Sequence, residues 1–463
     1  MKRTTTLFST ILLVGMTVCS IRTHGQTLSD NGIFYHTFAS PWSSSLNPAM
    51  FPKTAKWYLS LPRVGMDLSL PVSYKELNLQ YDAERDATIM NVTDLLSLLN
   101  ERNCSFGFDA DADLLGLGFS IGPRMHLMFN AGVKAHSLVT IPTQLTRLLT
   151  EGNLVGDRHL ELGTANLAQA MAYGYVSAGL SYQFPELPLT LGGRVNLLDG
   201  ISVASLDNVT IDLTTAQDTS NLLLTLDYMA HSAGLAFATI DSGNRLAYGI
   251  DKAFPTNFGI TFDLGAKYSF SNLEVSASIL DLGPGIRWSS NTTTLTPKEG
   301  KVDIEYDGFD VLSIGDSGFF SHWADSMLNK INYACDTLPF TYAPPTKMYV
   351  GLSYSILNSL RVGYLFHGEW EGGWFHRNAG GLFRCNNTLS LHFSLFDWVE
   401  LSASNSFSFD GQSVSFFNPG LFASINLGKR FQIYAAVDYI SSIYLTEMRA
   451  AHAYFGINIF GHK

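Results

Sequence analysis

From Phe258 to Phe270 every second residue is large and apolar, and every residue between is small or polar. Phe258, Ile260, Phe262, Leu264, Ala266, Tyr268 and Phe270 form one set; Gly259, Thr261, Asp263, Gly265, Lys267 and Ser269 form the other. A period of two is the signature of a β-strand with different surroundings on its two faces. After Ser271 and Asn272 the pattern resumes, with Leu273, Val275, Ala277 and Ile279 against Glu274, Ser276 and Ser278, as in a tight hairpin. Met348 to Ile356, Leu389 to Leu395, Leu421 to Leu427, Phe431 to Tyr439 and Ala453 to Ile459 alternate in the same way. The Gly428-Lys429 pair marks a short turn between two of these runs.

A water-soluble β-sandwich alternates too, because it buries one sheet face. Its outer face would carry Lys, Glu and Arg, whereas these strands offer Ser, Gly, Thr and Asn, which suit a crowded interior. Charged residues are only 15% of the chain, against roughly 25% in ordinary soluble proteins. The reading that satisfies both facts is an all-β, antiparallel transmembrane β-barrel, with lipid outside and an enclosed lumen inside. Candidate strands from Trp57 to Phe460 number about 14, an even count as bacterial barrels require. The inward set then includes Asp263, Lys267, Glu274, Gln432 and Asp438.

The chain opens with Lys2 and Arg3 before an apolar run from Leu7 to Val18, the layout of a secretory signal peptide. That run is about 12 residues, too short for a spanning helix of about 20. Small or short residues from Thr23 to Gly25 place cleavage before Gln26, and Val18 is too bulky before Cys19 for lipoprotein processing. The expected organisation is a signal peptide over residues 1–25, a plug or tether over 26–55, and a barrel over 56–463 with a long insertion around 284–345. The expected location is the outer membrane of a Gram-negative cell, with its lipid as the first partner. The net charge of −11 excludes nucleic acid. Of the remaining cysteines, Cys104, Cys335 and Cys385, at most two pair with each other; the spacing chooses no pair.

Three segments follow a helical rather than a strand period: Asn91 to Asn100, the stretch after Pro142 ending at Gly152-Asn153, and Ser321 to Tyr333. They are expected as short loop helices at the barrel mouth. The stretch from Gln26 to Pro52 has neither period and carries Asn47-Pro48-Ala49; folding back as a plug and hanging as a tether both remain open.

No pattern in the chain carries catalysis, a metal or a cofactor. Asp109, Asp111 and Asp113 begin like a calcium loop, but its glycine and closing glutamate do not follow, so they are read as one polar strand face or its rim. His367, Glu369, Glu371 and His376 with Trp370 and Trp374 offer ligands or an aromatic platform; a strand end with interfacial tryptophans is the simpler reading. No serine pairs with a histidine by motif.

Asn47-Pro48-Ala49 followed by Tyr58-Leu59-Ser60-Leu61-Pro62 resembles the opening of an outer-membrane family of unknown function common in Bacteroidota. Leu115-Gly116-Leu117-Gly118-Phe119, the Ile141-Pro142 stretch ending in Glu151-Gly152-Asn153, Leu191-Gly192-Gly193-Arg194 and Leu197-Leu198-Asp199-Gly200 are similar to the same family. That family looks like a distant relative of the long-chain fatty-acid transporter (FadL-like) barrels. The resemblance implies 14 strands, an N-terminal plug bearing Asn47, Pro48 and Ala49, and a conduit for a small hydrophobic or amphipathic molecule. The charged inner set fits a greasy passage poorly. Other relatives serve secretion, so the alternative is a docking protein that holds an envelope partner with the insertion after Pro284.

Overall fold

The computed structural model describes residues 32–38, 41–52, 55–77, 80–82, 87–89, 104–141, 159–163, 166–215, 222–240, 246–250, 256–300, 302–306, 333–371, 383–395, 398–410, 413–415, 418–428, 430–438 and 450–462. The expected signal segment and the three expected helical segments, apart from Tyr333, lie outside them.

Fourteen antiparallel strands close into a barrel. They are β1 (Ala55–Ser60 and Arg63–Ser69), β2 (Cys104–Ile121), β3 (Met125–Ile141), β4 (Asn166–Gln183), β5 (Leu189–Thr215), β6 (Phe258–Phe270) and β7 (Leu273–Trp288). The second half is β8 (Thr346–Leu357), β9 (Leu360–Trp370), β10 (Phe383–Leu395), β11 (Val399–Asp410), β12 (Pro419–Leu427), β13 (Phe431–Asp438) and β14 (Ala450–His462). Each strand pairs with the next, and β14 pairs with both pieces of β1, which pair in turn with β2. No sheet edge is left in the wall, which a bilayer demands because lipid cannot satisfy free backbone groups.

Both ends of the wall strands, Ala55 and His462, lie at the end where the connections are two to five residues long. At the other end every connection has eight residues or more. Gly122 and Gly428 take positive φ (71° and 59°) in two of the short turns, where a side chain would be strained.

The alternation seen in the sequence becomes a two-faced wall. Along β13 Phe431, Ile433, Ala435 and Val437 point outward, and Gln432, Tyr434, Ala436 and Asp438 are buried. Phe258, Phe262, Leu264, Tyr268 and Phe270 of β6 are exposed on the same outer face. Leu352 departs from this: it stands on the outward set of β8, yet it is buried in a cluster with Tyr364, Phe366 and Cys385. Cys385 is disulfide-bonded, while Cys335 is a free, exposed thiol.

Two matched irregularities shape the interior. In β1 the inward positions are even up to Ser60 and odd from Arg63, because Leu61-Pro62 inserts one extra residue. In β2 they are odd from Asp109 to Asp113 and even from Gly116, across a register shift at Leu114. Ser60 faces Gly116 and Arg63 faces Asp113, so both strands change phase at one level. A one-residue slip turns every later side chain to the other face; here it carries Arg63, Asp111 and Asp113 inward together.

The insertion expected from Pro284 begins later, since β7 runs through that residue to Trp288. Its described parts extend the barrel's own sheet. β5 has 27 residues, where a bilayer needs only about 9–11. Its far end pairs with Leu222–Gly234, which pairs with Thr293–Pro297 and Val302–Tyr306. Phe340–Tyr342 pairs with the end of β7 and packs on Met171, Tyr173, Leu198, Ile286 and Trp288.

Candidate functional site

The interior at the short-turn end is filled by the chain's own N-terminal residues. Two helices of one turn each, α1 (Gly32–Tyr35) and α2 (Ser43–Leu46), are buried within the wall. Phe34 is fully buried, with edge-on contacts to Trp42, Phe422, Tyr434 and Tyr454. Phe51 packs with Tyr58, Met128 and Phe460. The last large aromatic of the chain thus points inward onto the N-terminal segment.

Polar contacts hold this segment at several points. Asn47 is fully buried; its Nδ2 donates to the Tyr35 hydroxyl (3.0 Å) and to the carbonyls of Ala277 (3.2 Å) and Ala266 (3.4 Å) in the wall. Its Oδ1 accepts from the Ala49 amide at 2.9 Å, which fixes the turn through Pro48. The Ser278 hydroxyl donates to the Leu46 carbonyl at 2.7 Å, and Arg361 Nη1 donates to the His36 carbonyl at 2.9 Å. The Phe38 amide donates to Glu400 at 2.8 Å.

The wall is cut to this shape. A Cβ added to Gly265 would lie 2.9 Å from Pro48 Cδ and 3.0 Å from the Ala49 nitrogen, and one added to Gly192 would come within 2.5 Å of that nitrogen. Gly351 and Gly363 stand against Tyr35 and His36 in the same way. Any side chain at these positions would collide with the segment, so it and the wall fit as one packed core.

Two arginines link the segment to acids of the wall, Arg63 to a pair and Arg194 to one. Arg63 pairs with Asp111 and, at 2.7 Å, Asp113, and its guanidinium lies 2.9 Å from the centre of the Trp42 ring. Arg194 Nε donates to Asp263 at 2.6 Å while Nη2 donates to the Ser45 carbonyl at 2.8 Å. Asn196 and the Asp281 amide also donate to Asp263 (3.0 and 2.7 Å). A buried arginine needs such acids, because a bare charge away from water costs several kcal/mol.

Next to α2 lies a cavity of about 130 Å³. Trp42, Ser45 and Leu46 of the segment border it, together with the Asp109, Asp111 and Asp113 face of β2, Lys134, Tyr173, Tyr175, Arg194, Asp263, Asp281, Lys347 and Tyr454. Nearer the long loops, Asp438, His452, Asp67, Asp109 and His136 stand side by side on five successive strands. His452 meets Asp438 at 2.8 Å, and His136 meets Asp109 at 2.5 Å and Glu371 at 3.0 Å. Arg384 pairs with Glu371 and lies 3.5 Å from Glu369, whose other cation is Lys347 at 3.6 Å. Gln169 donates to Glu371 at 2.6 Å and accepts from the Tyr342 hydroxyl at 2.5 Å.

Of the inward residues expected from sequence, Asp263 lines the cavity and is linked through Arg194 to the Ser44 and Ser45 carbonyls. Asp438 belongs to the ionisable row, and Gln432 lies apart, accepting from Asn458 at 2.9 Å. Lys267 is buried and Glu274 half-buried toward the short turns. Asp109, Asp111 and Asp113, read as a rim or strand face, line the cavity; Glu369 and Glu371, at the strand end expected there, are buried inside the wall. Arg63, Arg194, Arg384 and Trp42 were not anticipated as a set. Three alternating aspartates on one inward face were the available signal, because they require a cation on a neighbouring strand. Among the described residues no group of His, Cys, Asp and Glu is arranged to hold a metal ion. No described helix is long and apolar enough to cross a membrane, which says nothing of a barrel.

The model of a family of unknown function (DUF5723) matches residues 48–438. No curated protein is significantly similar in sequence. Among solved structures, a Pseudomonas aeruginosa FadL homologue is similar over 94% of this chain and 96% of its own, at 10% identity and a TM-score of 0.42. The Pseudomonas putida toluene transporter TodX is similar over 95% and 96%, at 12% identity and a TM-score of 0.39.

Proposed function

The chain belongs to DUF5723, and on that premise we propose that it is an outer-membrane conduit for a small molecule, closed by its own residues 32–52 acting as a plug. One observation carries this reading: Asn47-Pro48-Ala49 is seated against wall glycines that have no room for any side chain. A tether would need no such fit. The short turns and both strand termini lie on the periplasmic side, and the long loops face outward, as in bacterial barrels. The interior set Asp263, Lys267, Glu274, Gln432 and Asp438 belongs to the polar passage.

The same reading accounts for the insertion without a partner. Its described strands pair with the barrel's own sheet, and Tyr342 bonds to Gln169 at the mouth, so it serves as a cover for the passage.

Planar-bilayer recording tests the proposal. The full chain should stay closed for most of the record, and a form lacking residues 32–52 should conduct at least tenfold more. If neither form conducts although both reconstitute as folded barrels, the conduit reading is wrong.

A further inference from the structure

Most charges around the cavity are consumed by one another. Arg63 is held by Asp111 and Asp113, Arg194 by Asp263 and the Ser45 carbonyl, and Asp111 and Asp113 also accept from the Tyr454 and Tyr175 hydroxyls. Three lining charges keep open surface: Lys347, 31% exposed and 3.6 Å from its acid Glu369, and the diagonal pair Lys134 and Asp109. The Lys134 side chain is 40% exposed and its acid, Asp281, is as far as 3.9 Å from Nζ. The Asp109 side chain is 34% exposed, and its ion pair engages Oδ1 alone. Both stand on the inward face of neighbouring strands: Lys134 opposite Asp111, Asp109 opposite His136. They are therefore diagonal neighbours, roughly 7–8 Å apart at the backbone, and point into one space without pairing with each other.

The cationic side of this wall is also short of acceptors. Arg63 lines the cavity at 5% exposure, and its Nε and Nη1 have no hydrogen-bond partner. Size limits the occupant as firmly as charge does. A cavity of about 130 Å³ is close to the engineered one of roughly 150 Å³ that takes a single benzene. The occupant thus has roughly six or seven non-hydrogen atoms at most by the same comparison.

We propose that the cavity binds a small zwitterion of the α-amino acid class, with its carboxylate at Lys134 Nζ and its ammonium at Asp109. Tyr173 and Tyr175 border the remaining space and limit the side chain to a small one. Charge-assisted hydrogen bonds at both ends are stronger than neutral ones. A ligand with one charge would satisfy one wall group and desolvate the other with only its existing partner, Asp281 or His136, to offset the cost. This site deepens the conduit reading by naming what the closed passage holds, and it rests on that reading only for how the ligand reaches it.

The test is calorimetric titration of the full chain in detergent micelles with four probes: L-serine, propanoate, propylammonium and toluene. Toluene has as many non-hydrogen atoms as L-serine, so it separates size from charge. L-serine should bind at least tenfold more tightly than either single-charge probe, and toluene should give no heat. Lys134→Met should weaken L-serine at least tenfold and leave propylammonium unchanged; Asp109→Asn should weaken L-serine equally and leave propanoate unchanged. The site is refuted if L-serine gives no heat, if toluene binds more tightly than L-serine, or if both folded variants bind L-serine as the parent does. The wild-type probe series decides the matter alone should a variant not fold. Conductance plays no part in this readout, so a barrel that binds L-serine and never conducts would refute the conduit and leave the site standing.

Discussion

The interior has two halves that solve the problem of a barrel lumen differently. Along β10 to β12 the inward residues include Asn386, Thr388, Ser390, His392, Ser402, Ser404, Ser406 and Ser424, and α1 packs in front of them. Along β1 to β7 they include Arg63, Asp109, Asp111, Asp113, Lys134, Tyr175, Arg194 and Asp263, and part of the space is left open. Small hydroxyl and amide side chains leave room for a permanent filler and bond to one another. Long charged and aromatic side chains instead hold each other off the axis in pairs. The wall chemistry thus records where the interior is packed throughout and where, beside the Asn47-Pro48-Ala49 seat on β5 to β7, a space stays open.

The largest effect should come from refilling the space that the wall has given up. Gly265→Leu places a side chain where Pro48 and Ala49 lie, and overpacking of this severity cannot be absorbed by rotamer changes. The N-terminal segment should leave its seat entirely. Bilayer conductance should then match that of the form lacking residues 32–52, and residues near Asn47 should become open to protease. Closed channels in this variant would mean that the segment does not close the passage.

Next in size is the hollow half's own ion pairing. Arg194→Met removes the cation that faces Asp263 and the donor to the Ser45 carbonyl. Breaking a buried pair from one side costs about 3–5 kcal/mol, so the urea midpoint of the folded barrel should fall by a corresponding amount. The double variant Arg194→Met with Asp263→Leu should recover much of the loss, because it leaves no orphan charge. No recovery would show that Arg194 acts chiefly through the segment it touches.

Acidity should act on the filled half first. Burial lowers His36 to about 4 from an ordinary 6.5, opposed by its bond to the Tyr364 carbonyl and by Glu274 and aided by Arg361. His392 faces it with a ring centre 6.3 Å away, and Arg361 also bonds to the His36 carbonyl. A histidine with a lowered folded pKa favours the seated state fully above the unseated pKa, and that contribution is lost as pH falls from 6.5 toward 4. The loss is up to roughly 3 kcal/mol at 1.4 kcal/mol per unit. Channel opening should therefore rise between pH 6.5 and pH 4 in the parent and stay flat over that range in His36→Phe.

What the sequence disclosed and concealed follows the same division. Asn47-Pro48-Ala49 and the outward alternation were legible because each is local: a turn motif and a period of two. The three aspartates of β2 were legible as one face, yet their counter-ion was not. Whether Arg63 points inward depends on the extra residue at Leu61-Pro62 matching another at Leu114, and an unbroken period of two conceals such paired shifts. The His367 to Glu371 stretch was legible as a strand end, and β9 does close at Trp370, but the ion pairs of its acids were not, for a related reason. Its partners Arg384, Lys347 and His136 come from three other strands, so the row that holds it exists only once the barrel closes. Phe460 falls on the inward set of the last alternating run, but the residue it packs on, Phe51, lies about 400 positions away and could not be read from that run.

The smallest effect belongs to the packed side. His392 is fully buried between two hydroxyls, Ser402 at 2.7 Å on Nδ1 and Ser390 at 2.9 Å on Nε2. Ser402→Ala removes one partner, and a neutral hydrogen bond of this kind is worth about 1 kcal/mol. The imidazole keeps its second partner, and no charge is orphaned. The barrel should lose about 1 kcal/mol in urea by that reckoning, with conductance and L-serine affinity unchanged within twofold. If Ser402→Ala instead opened the channel as Gly265→Leu is expected to, the hydroxyl-lined half would be part of the passage, and the division between a packed and a hollow side would fail.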